Sequence, residues 1–191
     1  NILVTGNDQS LADLTVVEST AKLLKITDLQ KDQKVGVQPG DRIEVDPGSR
    51  SILNFHDALQ VELFHNAKVL LQTLNQESGG STEVALNLSQ GHMLVSLSES
   101  AVARVTVETA DSIIKTLEDG TEFAICKAPD KLTCVAVKKG AAEVFGQGRK
   151  QIVSAGEASY ILKDQPPSAA ICMPPETFSS WEESYRASAD A

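Results

Sequence analysis

From Leu14 to Leu162 apolar and polar residues alternate with a period of two, and Gly, Pro, Asp and Ser break the rhythm at short intervals. Successive residues of a strand point to opposite faces, so this pattern buries one face of each segment and fits no long helix. "RIEV", "SILNF", "VELF", "VALNLSQGHMLVSL", "ARVTVE", "TEFAIC", "CVAVKK" and "QIVS" all carry it. Pro39-Gly40 and Pro47-Gly48 are turn pairs, because Pro presets φ and Gly supplies a positive φ. The reading gives about fourteen short strands, at the turn spacing of an all-β sandwich, barrel or solenoid. Gly40, Gly91, Gly140 and Gly156 each precede an alternating segment, which points to one turn type reused at strand entries.

With 191 residues, 41% of them apolar, the chain can build a core without metals or many disulfides. Aromatics are 4%, so Val, Leu, Ile and Ala must supply that core. The net charge of −9, with no clustered Lys and Arg, argues against nucleic acid and anionic lipid as partners, since both need such clusters. No apolar run approaches the roughly 18 residues of a membrane span. The chain opens on Asn1, so the reading expects a removed leader or anchor, or a fragment; any membrane attachment would then use a segment outside this chain.

The residues give no catalytic constellation. His56, His65 and His92 have no zinc-ligand spacing, and His56-Asp57 sits in an expected turn whose neighbours point apart. "FGQGRKQ" has Gln151 in place of a third glycine and reads as a hairpin, not a dinucleotide loop. No metal and no cofactor are expected, and the acidic all-β chain reads as a non-enzymatic binding or structural module.

Three segments follow. Residues 1–11 are a polar lead-in, 12–163 form the β domain, and 164–191 are a Pro-rich stretch followed by a short helix. Thr177 is the expected N-cap, and Phe178, Trp181 and Tyr185 fall on one helical face. That face either packs back on the β domain or contacts a partner.

Two of the three cysteines flank "KAPDKLT". In "FAIC" and "CVAV", period two puts Cys126 with Ala124 and Cys134 with Ala136, opposite Phe123, Ile125, Val135 and Val137. If the strands form a hairpin around Pro129-Asp130, both cysteines face each other on the side away from the core, within disulfide reach. A Cys126–Cys134 disulfide is the expectation. Two free thiols, or pairing with Cys172, are the alternatives. The bridge would mark an oxidising compartment.

The ordered motifs resemble the extracytoplasmic FecR domain of bacterial regulators. Gly40, Asp41, Leu53, Phe55, Asp57, Val61 and Leu63 stand at its first two motifs, with "NLSQGHMLVSL" next. Val107, Thr109, Gly120, Thr121 and Phe123 follow, then Gly140, Ala155 and Gly156. The chain departs from the pattern at Ala58, Ala110 and Asp119, which replace Gly, Pro and Arg. The resemblance covers about residues 12–162. It implies a FecR-like β-sandwich or β-solenoid in the periplasm or at the cell surface, which binds a protein and relays a signal in a membrane-anchored parent. The competing readings are a structural surface or filament subunit assembling through β edges, and a carbohydrate-binding or cupin-like enzyme domain.

Overall fold

The computed structural model describes residues 12–18, 20–23, 27–30, 34–76 and 80–187; the expected lead-in over 1–11 lies outside them. They form seventeen strands and one helix. The strands of the early part are β1 (Asp13–Glu18), β2 (Thr20–Leu23), β3 (Thr27–Gln30), β4 (Lys34–Gly36), β5 (Arg42–Val45), β6 (Arg50–Phe55), β7 (Leu59–Leu63) and β8 (Lys68–Gln76). The long β9 (Thr82–Leu97) follows, then β10 (Ala103–Glu108), β11 (Ile113–Thr116), β12 (Glu122–Ala128), β13 (Leu132–Lys139), β14 (Ala141–Gly146), β15 (Arg149–Ser154), β16 (Glu157–Leu162) and β17 (Ile171–Cys172). Helix α1 (Pro175–Ala187) closes the order.

Strand β9 organises the architecture. Its first half pairs with β8 and, in parallel, with β10. Its second half pairs with β7 and β12. One layer therefore runs β3-β2-β5-β8-β9-β10-β11-β14-β15. The other runs β4-β1-β6-β7-β9-β12-β13-β16-β17. The continuous sheet curls into a half-barrel, and the main core fills the space between its layers. Leu71, Leu86 and Leu88 enter from one side, and Leu53, Val61, Phe123, Ile125 and Val135 from the other.

The corner is at Gly91. Before it Val84, Leu86 and Leu88 are buried in the main core, and after it Met93, Val95 and Leu97 are. The inward set thus changes from even to odd numbers. A one-residue offset flips every side chain to the other face, and the β8–β9 register shifts beside Val69 to supply one. Gly91 has φ +96° and lies inside a strand, so the expectation of a turn glycine at a strand entry is corrected for this residue. Gly40, at φ +94°, does sit in its expected turn, where the Asp41 carboxylate accepts a bond from the Gln38 N–H at 2.9 Å.

The two hairpins read from sequence are present. Asp130, at φ +54°, turns β12 into β13, and Gln147 and Gly148 turn β14 into β15. The tail differs from expectation in two respects. Ile171 and Cys172 add a short strand to β16, where the prolines predicted irregular chain. Helix α1 starts at Pro175, where a missing N–H costs nothing, and the Pro174 carbonyl accepts from Thr177 and Phe178. Thr177 is therefore inside the first turn and not the cap.

Candidate functional site

The outer face of the second layer is built in cross-strand rows. Leu94, Ala124, Ala136 and Ala158 stand opposite one another on β9, β12, β13 and β16. Three adjacent methyl side chains leave a shallow trough, and α1 lies in it. Phe178 and Tyr185 are 4% and 8% exposed, in a second core with Phe64, Leu94, Met173 and the three alanines. Trp181 is half-buried against the same cluster. Phe178 and Tyr185, read as candidate partner contacts, are thus turned into the chain's own fold and covered while the helix is docked. Lys138 fixes the helix flank through Glu182 at 3.3 Å and lies 5.7 Å from the Phe178 ring centre. Arg186 reaches Glu62 at 3.2 Å, and Glu62 also holds Arg50 at 2.7 Å.

Two residues along each strand lies a chemically different row: His92, Cys126, Cys134 and Tyr160, again directly opposed on β9, β12, β13 and β16. The sequence reading placed both cysteines on one face and opposite each other, and the register does so. It described that face as the side away from the core. The face instead carries the second core and its helix, so Cys134 is 4% exposed and Cys126 only half-buried. The structure holds Cys126, Cys134 and Cys172 as thiols, with Cys172 exposed.

The row is electrostatically asymmetric. A hydrogen bond from the Cys134 thiol lowers the pKa of Cys126 against the opposing effect of burial, and His92 lowers it further. The same bond, with burial, raises Cys134. Tyr185 stacks on His92 at 4.2 Å between ring centres, nearly parallel at 13°. Burial raises the Tyr185 hydroxyl and the nearby thiols add to that. His65 lies 5.6 Å from His92, and burial followed by repulsion from His92 lowers its pKa. Among the described residues no three His, Cys, Asp or Glu side chains converge as a metal site. His56 is exposed in the β6–β7 turn at φ +50°.

A second buried polar feature escaped the sequence reading. Lys127 continues the inward set Phe123, Ile125, and its side chain is 1% exposed. It forms an ion pair with Asp111, in a turn where Thr109 Oγ1 accepts from the Ser112 N–H at 3.1 Å. The period-two phase was the available signal, since a lysine in step with two core residues must end inside or at the rim of the core.

The strand edges are the other candidate surface. Among the described residues β15 pairs only with β14. On the outer face beside it Phe145 is 42% and Ile152 52% exposed, and Ile113 lies opposite Phe145.

No family model matches the chain, and no curated protein matches it. Two solved structures share the fold. Both are crystal structures of a "putative anti-sigma factor" from Parabacteroides distasonis, at 1.65 Å and 2.50 Å resolution. Each aligns over 74% of this chain with a TM-score of 0.58 and 16% identity. The chain spans 64% and 63% of the length of those two proteins. At that identity the likeness to the anti-sigma factor structures is one of fold: the all-β architecture read from the sequence is the one found.

Proposed function

We propose that the chain is a non-enzymatic protein-interaction domain of FecR-like type, working outside the cytoplasm as part of a signalling protein. The observation that carries this reading is the fold shared with the Parabacteroides anti-sigma factor structures. The ordered motifs of the sequence support it, and in the fold several of them serve turns. Gly120 has φ +67°, and Thr121 is fully buried with its hydroxyl donating to the Glu118 carbonyl at 2.8 Å. Asp41 closes the β4–β5 turn through Gln38. These residues shape the scaffold, which leaves recognition to edges and surface.

The β15 edge suits recognition best. An edge strand offers N–H and C=O groups to an incoming strand, and Phe145 and Ile152 supply exposed apolar area beside it. A structural subunit assembling through the same edges is the second reading, because the edge chemistry serves both. A photo-crosslinking amino acid at position 152, in the native host, separates them. The expected result is a crosslink to one distinct protein, with a control at buried position 136 giving none. Adducts made only of the chain with itself would favour the assembly reading and overturn the first.

A further inference from the structure

We infer that the Cys126–Cys134 pair is a thiol–disulfide exchange site, in which Cys126 is the attacking thiol and Cys134 the resolving one. The observations are geometric. The two residues are directly opposed on adjacent antiparallel strands, where Cα atoms lie about 4.5–5.5 Å apart, inside the range a disulfide spans. Their access differs: Cys126 is half-buried, while Cys134, in the row beside the second core, is 4% exposed. A reagent from solvent meets Cys126 first, and the only thiol poised to displace it is Cys134.

The surroundings favour the same order. His92 faces Cys126 from β9, Lys127 follows it on its own strand, Cys134 faces it from β13, and Tyr185 of α1 covers His92. Tyr160 of β16 stands opposite Cys134, on the far side from Cys126. Together the cysteine hydrogen bond, His92 and Lys127 favour the Cys126 thiolate, the nucleophilic form.

The oxidant is a disulfide, from a small thiol or from a protein. The Cys126 thiolate attacks one sulfur of R–S–S–R, forming Cys126–S–S–R and releasing RS⁻, which takes up a proton. Cys134 then gives up its proton and attacks the Cys126 sulfur, closing the intramolecular bond and releasing the second thiol. The chain loses two electrons and two protons, and the disulfide gains both. This chemistry is separate from partner binding at the β15 edge, and it turns an expected staple into a site with an entry point.

The test uses the full chain with Cys172→Ala, so that the exposed third thiol cannot report, and oxidised glutathione as the probe. The expected product is the intact chain lacking two hydrogens and carrying no glutathione. With Cys134→Ser the reaction should stop at one glutathione on Cys126. With Cys126→Ser no adduct should form at Cys134. Limited alkylation of the reduced pair, with both cysteines in place, should label Cys126 at least about tenfold faster than Cys134, and does not depend on either serine variant folding. Faster labelling of Cys134, or a glutathione adduct on Cys134 in the Cys126→Ser chain, would overturn the assignment. So would a pair unchanged under conditions that modify Cys172 in the unsubstituted chain.

Discussion

Gly91→Ala is expected to lower the unfolding free energy by about 2–5 kcal/mol, combining backbone strain with overpacking. The residue holds φ +96°, and an added Cβ would lie 2.4 Å from the Ala67 Cα and 2.7 Å from its nitrogen. Ala67 has no room to retreat. It is fully buried, its N–H donates to the Phe64 carbonyl at 3.0 Å, and its carbonyl accepts from Val45 at 2.9 Å. Gly40→Ala supplies the control, because Gly40 has nearly the same φ, +94°, with nothing within 4 Å of the added methyl. That variant should lose only the left-handed backbone cost, about 1–2 kcal/mol. Urea unfolding of the two variants beside the parent chain measures the difference. Equal losses would mean that the corner of β9 has room to spare, and the account of how the two layers join would fail.

Asp111→Asn is expected to cost about 3–5 kcal/mol, the scale found when a buried ion pair loses one partner. The Lys127 side chain is 1% exposed and that of Asp111 10%, so little water reaches the charge left behind. The aliphatic part of Lys127 already belongs to the inward row of β12, and replacing the ammonium with an apolar tip removes the stranded charge. Adding Lys127→Met to Asp111→Asn should therefore recover more than half of the loss, since a well-packed apolar replacement of such a pair is often close to neutral. The double variant unfolding at lower urea than Asp111→Asn alone would contradict this. Against a typical total of about 5–15 kcal/mol, either single loss is large enough to measure cleanly.

What the sequence disclosed follows from which interactions are local. Strand rhythm and turn chemistry depend on neighbours in the chain, so the β12–β13 hairpin, its Pro129-Asp130 turn and the facing cysteines were all legible. Gly91 was misread because a glycine before an alternating run looks the same at a turn and at a corner. The deciding contact is with Ala67, which is remote in sequence. The helix was legible as an amphipathic segment, but its landing place was not. That depends on Ala124, Ala136 and Ala158 lining up across three strands, a registration that no single segment encodes. For the same reason the cysteine face was read as open, although Tyr185 and His92 close much of it. The Lys127–Asp111 pair shows the reverse case. Its phase was visible in "FAICKA", but a lysine is buried only with a partner, and that partner, Asp111, lies 16 residues away in the chain.

The scaffold and the surface have different parts in this account. Burial between the layers and under α1 fixes the fold, the His92–Cys126–Cys134–Tyr160 row is where thiol–disulfide exchange is proposed, and the β15 edge is the proposed partner surface. The claim that joins these is that the domain belongs to a signalling protein. Removing residues 12–163 in the native host, with RNA sequencing of the deletion strain beside its parent, tests that claim most directly. The account predicts that one co-regulated set of transcripts shifts together and returns when the domain is restored. An unchanged transcript profile in the deletion strain would contradict it.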